Sequence, residues 1–434
     1  MTEQGRIIRV DSLARVEGEG GLFVRVCQGR VEECRFHIQE PPRFFEGLLR
    51  GRRYDEVPDI TARICGICPV AYLLGAGLAM EQAAGLSVAG GLRDLRRLIY
   101  CGEWIASHVL HVFFLHLPDF LGLEDSLQLA REQPGLVNEA LELKQLGNEI
   151  LETVGGRAVH PVNLRVGGLY RLPSPERLRH LEASLHRGLE TAVRLTRYVA
   201  ALHFPAYERE LISVSLHHPD EYAIHEGRIV SDQGLDIAVA EFEEHFTEQQ
   251  QAHSHALHGR LRGATVPYLT GPLARYNNNQ QQLSPLAREL ARAAGLGERV
   301  SNPFRSIVVR MVETVYALEE SLRLLIALPP MTQAALAVTP HSARGHGATE
   351  APRGLCYHRY DLDREGRVTA ACIVPPTAQN QQSIEADLRQ VVADNLDLPD
   401  QSLQWLCEQT IRNYDPCISC ATHCLRLKVQ RDFR

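Results

Sequence analysis

The sequence predicts an α+β fold, mostly helical, with a long helical bundle core and small antiparallel sheets near the N- and C-terminal parts. Apolar residues recur at helical spacing over long stretches between residues 69 and 395. Alternation of apolar and polar residues is confined to two regions, Ile7 to Gln39 and Tyr357 to Val374. No repeat, low-complexity run or obvious linker divides the 434 residues, so the chain reads as one large domain, 1–434.

Taken in order, Ile7 to Gln39 is a hairpin or meander turning at Gly18-Glu19-Gly20-Gly21 and Gln28-Gly29. Pro69 opens an apolar helix running to about Ala84, with proline in the favoured first turn. A second helix is expected from Asp94 to Leu117, stopped by Pro118. Ser174-Pro175 caps a third, whose stripe is Leu178, Leu181, Leu185, Leu189 and Val193. A long helix spans Ile307 to Leu328 and ends at Pro329-Pro330. Tyr357 to Val374 forms a hairpin broken by Arg364-Glu365-Gly366, and Ser383 to Asn395 is helical.

At 44% hydrophobic and 23% charged, the composition is that of a globular protein. A net charge of −7 gives no pull toward nucleic acid or an anionic membrane. Met1 to Arg6 opens no signal peptide, and no apolar run of about 18 residues is present. A cytoplasmic location without a membrane span is the expectation. Eleven cysteines leave one unpaired in an oxidising compartment, whereas in the cytosol Cys-x-x-Cys means metal or redox chemistry.

Two such pairs exist, Cys65-Gly66-Ile67-Cys68 and Cys417-Ile418-Ser419-Cys420, about 350 residues apart. A zinc finger or ribbon places its pairs only about 15–20 residues apart. Here a large fold must first bring its two ends together, so the site is a product of the fold rather than its staple. Four thiolates suit zinc and iron–sulfur equally. The other cysteines are scattered and offer no grouping for a cluster, so electrons must leave through another subunit. Arg353, between Pro352 and Gly354, lies in a loop before a strand, and Val374-Pro375-Pro376-Thr377 is a proline-pinned turn before a helix.

These segments, in this order, resemble the large subunit of nickel–iron hydrogenases over essentially the whole chain. The motifs are Arg15-Val16-Glu17-Gly18, Phe44-Phe45-Glu46-Gly47-Leu48, Arg63-Ile64-Cys65-Gly66-Ile67-Cys68, Leu117-Pro118-Asp119-Phe120 and Gly155-Gly156-Arg157 with His160-Pro161. They continue with Glu350-Ala351-Pro352-Arg353-Gly354, Val374-Pro375-Pro376-Thr377 and Asp415-Pro416-Cys417-Ile418-Ser419-Cys420-Ala421-Thr422-His423.

The resemblance implies a Ni–Fe(CO)(CN)2 centre, with Cys65 and Cys417 as terminal nickel ligands and Cys68 and Cys420 bridging to iron. It places Asp119, Pro352, Thr377 and Asp415 around the diatomic ligands. Cys417 and Arg353 become the candidate bases for reversible heterolytic cleavage of dihydrogen, and Glu17 the proton-relay carboxylate. Glu46 and His423 match ligands of a second site for magnesium or iron. His108, His111 and His116 are read as core hydrogen-bonding groups.

Implied partners are an iron–sulfur small subunit, flavin-containing diaphorase subunits that pass electrons to NAD(P), and factors for nickel insertion and maturation proteolysis. No Gly-x-Gly-x-x-Gly follows a strand, so the nucleotide belongs to a partner. Residues 424–434 match a C-terminal propeptide removed after nickel insertion. Glu19 and the modest length fit the cytoplasmic, cofactor-coupled branch. Tyr72 departs from the histidine that many relatives carry. The alternatives are a dihydrogen-sensing regulatory subunit and a non-catalytic scaffold, like the related subunit of respiratory complex I, with zinc at the cysteines.

Overall fold

In the computed structural model, residues 5–210 and 212–423 are described. The propeptide assigned to 424–434 lies outside them. The N-terminal alternation forms a three-stranded antiparallel meander, Arg6–Val10, Gly20–Cys27 and Arg30–Ile38, in that order across the sheet. Its apolar face, including Leu22, Val24, Phe36 and Ile38, is buried. The loop between the first two strands carries Arg15 to Gly18.

The bundle is built from Gly90–Val109, Pro134–Gly155, Pro175–Ala200 and Ser306–Ala327. Glycine lets two of these backbones meet: a Cβ on Gly147 would lie 2.7 Å from Ala106 N and 2.8 Å from Gly102 O. The helical run 90–121 is apolar and long enough to cross a membrane, but 78% of its most apolar window is buried inside the fold. That accounts for its composition as a core helix.

The second expected helix differs from its prediction. It starts at Gly90, four residues before Asp94, and passes through a π-helical segment, Leu110–His116, into Leu117–Leu121. Pro118 therefore does not stop it. The change of register puts Pro118 in a first turn, where its missing N–H costs nothing, and Gly122 at φ 69° ends the helix instead.

The C-terminal hairpin gains a third strand. Ala343–Ala351, Gly354–Leu362 and Val368–Val374 form an antiparallel sheet. Ala351 pairs with Gly354, so Pro352-Arg353 is a two-residue turn between strands rather than a loop before one. The following helix begins at Pro376, not Ser383, and runs to Asp394. Its polar start is tolerated because the amides are used: Asn380 Nδ2 donates to Thr270 O at 3.0 Å and Gln379 Nε2 to Leu355 O at 2.5 Å.

Between residues 212 and 269 lies a region of strands that no sequence pattern located. Ile212–His217, Arg228–Ser231 and Asp236–Ile237 are antiparallel, and Tyr268–Leu269 joins the first of them in parallel. A hairpin, Phe246–Gln250 with Leu257–Leu261, lies within the same region. Sheets are thus not limited to the two ends of the chain.

Candidate metal centre

Each cysteine pair sits at the start of a helix. Cys68 precedes Pro69–Ala83, and Cys417 precedes the short helix Ile418–Ala421. Glu103, on the next helix, holds the Pro69 helix by accepting from Val70 N at 2.6 Å and Ala71 N at 3.2 Å. Burial pushes its carboxyl well above the usual range, against the two backbone N–H groups that favour its charged form. Nothing in the motif around Glu103 announced that role.

The second pair is positioned by the N-terminal loop. Glu17 forms a parallel bridge with Cys417, and Ile418 N donates to Glu17 O at 3.0 Å. Gly18, at φ 89°, permits that approach; a Cβ there would lie 2.7 Å from Ile418 Cβ and 2.6 Å from Glu40 Oε2. His423 O and Thr422 O accept from the backbone N–H of Phe45 and Arg43, at 2.9 and 2.7 Å.

Both pairs then converge. Cys65 Sγ lies 3.4 Å from Cys417 Sγ, Cys68 Sγ 3.6 Å from Cys420 Sγ, and Cys417 Sγ 2.8 Å from Cys420 Sγ. All four sulfurs lie within 4.8 Å of one another, and every one of these cysteines is at most 4% exposed. The contact with Cys417 draws the Cys65 thiol well below its ordinary value, while burial raises Cys417. Four sulfurs this close without cross-linking form a ready chelate for a soft metal.

The polar lining fits a centre that carries small polar ligands. Arg353 donates from Nε to Asp415 O at 2.6 Å and from Nη2 to Asp415 Oδ1 at 2.9 Å. Its Nη1, and Oδ2 of Asp415, are buried with no partner in the protein. Burial works against the guanidinium charge, but Asp415, Cys417, Cys68 and Cys65 outweigh it and raise its pKa. Asp415 holds φ 50°, a left-handed conformation that turns Cys417 inward. Thr377 Oγ1 accepts from Cys417 N at 3.0 Å, which leaves the hydroxyl proton to donate. Pro352 is buried and its carbonyl accepts from Arg275 Nη2 at 3.0 Å.

The remaining candidates fall into three places. Asp119 is clamped by Arg15 at 2.6 Å, by Arg412 at 2.7 and 2.9 Å, and by His116 at 3.2 Å. Burial would raise its carboxyl, but His116 and Arg412 hold it well below the usual range. Its effect on the pocket therefore runs through the segment 412–417 that it anchors. Glu17 accepts from Ser419 N at 3.1 Å and from Ser419 Oγ, and Ser419 Oγ also lies 3.1 Å from Glu40 Oε2. Glu46 accepts from Ile373 N at 2.8 Å, with His423 Nε2 3.9 Å from Glu46 and 2.7 Å from Ile373 O. A carboxylate, an imidazole and a carbonyl thus share one small region.

The three crowded histidines are core groups. His108 reaches Glu313 at 2.9 Å, His111 reaches Arg412 O at 2.7 Å, and His116 bridges Asp119 and Asn413. Tyr72 is buried edge-on against His358, with ring centroids 5.8 Å apart, and His358 lies 3.5 Å from Cys356 Sγ. An imidazole therefore packs against Tyr72, brought by a strand nearly 300 residues away.

The family described as nickel-dependent hydrogenase matches residues 43–135 and 240–423. The chain is 32% identical to the alpha subunit of sulfhydrogenase 1 from Pyrococcus furiosus, over 97% of this chain and 98% of that one. The chain belongs to the nickel-dependent hydrogenase family. It is 28% identical to the beta subunit of the NAD-reducing hydrogenase HoxS of Cupriavidus necator, over 97% of this chain and 95% of that one. A crystal structure of an NAD+-reducing [NiFe]-hydrogenase in the H2-reduced state superposes with a TM-score of 0.87 at 25% identity, covering 96% of this chain and 99% of that one. This hydrogenase chain is the catalytic large subunit, an oxidoreductase acting on hydrogen.

Proposed function

We propose that this subunit cleaves dihydrogen heterolytically and reversibly at a Ni–Fe(CO)(CN)2 centre held by Cys65, Cys68, Cys417 and Cys420. All four cysteines would hold the group, Cys65 and Cys417 as the terminal nickel ligands and Cys68 and Cys420 as the ligands that nickel would share with iron. The observation that carries it is the convergence of four buried sulfurs beside the unpartnered Arg353 Nη1 and Asp415 Oδ2. When bound, the nickel–iron group supplies the redox-active Lewis acid at which the H–H bond is polarised and broken.

The protein groups divide the remaining work. A guanidinium held this firmly in its charged form donates but does not accept, so the base is the Cys417 sulfur, and Arg353 orients and polarises. Thr377 and Arg353 supply donors for anionic ligands in a dry pocket. The proton leaves Cys417 toward Glu17, and the single Ser419 hydroxyl, within reach of both Glu17 and Glu40, hands it to the partly exposed Glu40. Two electrons and two protons result from each dihydrogen. Glu46, His423 and the Ile373 carbonyl hold a second metal, magnesium or iron, that pins the C-terminal segment.

The likeness to alpha and beta subunits of multi-subunit enzymes supports an iron–sulfur small subunit and flavin-bearing diaphorase subunits as partners, with NAD(P) as acceptor in the cytoplasm. Residues 424–434 are a propeptide removed by a maturation protease after nickel insertion; an intact mass ending at His423 in active enzyme is the expected result, and one ending at Arg434 contradicts it. A main core cluster that draws its residues from Ile8 through Ala421 supports reading the chain as one unit.

The test is dihydrogen-dependent reduction of NAD+ and NADP+ by the complex matured in a competent host. Turnover that vanishes in Cys417→Ser, together with nickel, is expected. Stoichiometric nickel with no turnover would point to the sensor instead.

A further inference from the structure

Away from the thiolate pocket, three metal-ligating side chains meet where no motif announced them. His253 lies in the loop joining Phe246–Gln250 to Leu257–Leu261, His258 on the second of those strands, and Glu385 on the helix Pro376–Asp394. One ligand atom from each lies within 4.8 Å of the other two. His253 Nε2 is 2.7 Å from Glu385 Oε1, and the two imidazoles stand nearly perpendicular, at 87°, with centroids 5.5 Å apart. Glu385 is steadied by Phe36 N, which donates to Oε1 at 3.1 Å.

A salt bridge between His253 and Glu385 would be an ordinary surface pairing. His258 is not ordinary. It is 1% exposed, and its Nε2 is buried with no hydrogen-bond partner. Its desolvation is uncompensated, as it is for the ring nitrogens of His225, but only His258 has a second imidazole and a carboxylate within 4.8 Å among these.

We propose that His253, His258 and Glu385 bind a divalent first-row transition cation, with zinc as the best fit. Two imidazoles and one carboxylate suit a borderline ion better than magnesium or calcium, which favour oxygen ligands. Three protein ligands leave positions for water. The side chains of His253 and Glu385 are each 19% exposed, which gives the ion a way in. Binding replaces the hydrogen bond that now joins His253 to Glu385.

The bound cation ties three parts of the chain together: the 246–261 hairpin, the N-terminal sheet at Phe36, and the helix whose first turn holds Thr377 against Cys417. It is a structural tie to the wall of the catalytic pocket, not part of the reaction.

The test uses the mature complex, cleared of loosely held metal and titrated with Co2+, then with Zn2+. One Co2+ per large subunit beyond the resident metals, with visible d–d absorption that Zn2+ abolishes, is expected. His258→Gln and His253→Gln should each weaken that uptake at least tenfold while leaving the carbon monoxide and cyanide infrared bands in place. The bands certify folding, and His253 is the safer variant because it is partly exposed. No extra uptake, or uptake undiminished in either variant with its bands in place, overturns the assignment.

Discussion

Two buried arginines, Arg275 and Arg353, stand side by side in this fold and are treated in opposite ways. Arg275 makes five hydrogen bonds, to Glu313 through Nε and Nη2, to Glu350 and Ala351 O through Nη1, and to Pro352 O through Nη2. Its guanidinium also stacks on Trp104 at 4.5 Å. Arg353 bonds only to Asp415 and keeps Nη1 unpartnered beside four thiols. A fully satisfied buried charge is spent on holding the fold together. A partly satisfied one is kept in reserve for a ligand. The hairpin turn Pro352-Arg353 joins them: Arg275 grips the carbonyl of Pro352 and so fixes where Arg353 points.

That contrast predicts separable failures. The largest effect is expected from Arg275→Met, which leaves Glu313 and Glu350 buried without their counter-charge. Breaking such a pair costs about 3–5 kcal/mol, so the chain should fail to assemble with its partner or lose that much in a denaturant midpoint. A near-normal midpoint would erase the distinction between the two arginines. Arg353→Lys should do the reverse. Folding, nickel content and infrared bands should persist, while turnover falls about 10³-fold through loss of one preorganised donor.

A smaller loss is expected for Glu17→Gln, which preserves the bonds from Ser419 but not the exchangeable proton. Turnover should drop about 10²-fold with metal content unchanged, and Glu17→Asp should recover part of it. Equal turnover in the glutamine variant would move the relay elsewhere.

A further prediction concerns pH. Burial alone would raise the Glu313 carboxyl, but Arg275 overcompensates and holds it at about 2, below its ordinary 4.5. A lowered carboxylate stabilises the fold fully above about pH 4.5 and loses that contribution as pH falls toward 2. The acid limb of a stability profile should fall in that window. A flat profile there would mean Arg275 and Glu313 are not paired as described.

The parts of the fold legible in the sequence were those written locally. Pro69 marks the start of its helix, the Leu178 to Val193 stripe marks another, and alternation marks the two end sheets. What escaped was written at long range. The π register at Leu110–His116 overrode the reading of Pro118, and Asp119 is a node only because Arg15 and Arg412 arrive from opposite ends of the chain. Glu103, Ser419 and Glu40 have no signature of their own. Glu350 and Pro352-Arg353 looked like a loop because a glutamate in a strand end reads as exposed; here Arg275 and Leu216 N satisfy Glu350 in the core. The four cysteines were legible because thiol pairs at this spacing have few other uses.

The most direct measurement is an infrared spectrum of the protein purified with its partner, with nickel, iron and zinc analysis of the same sample. Carbon monoxide and cyanide stretches accompanied by stoichiometric nickel are the predicted result. Stoichiometric zinc and no such bands, from cells able to mature the enzyme, would contradict it and leave the four thiols holding a scaffold.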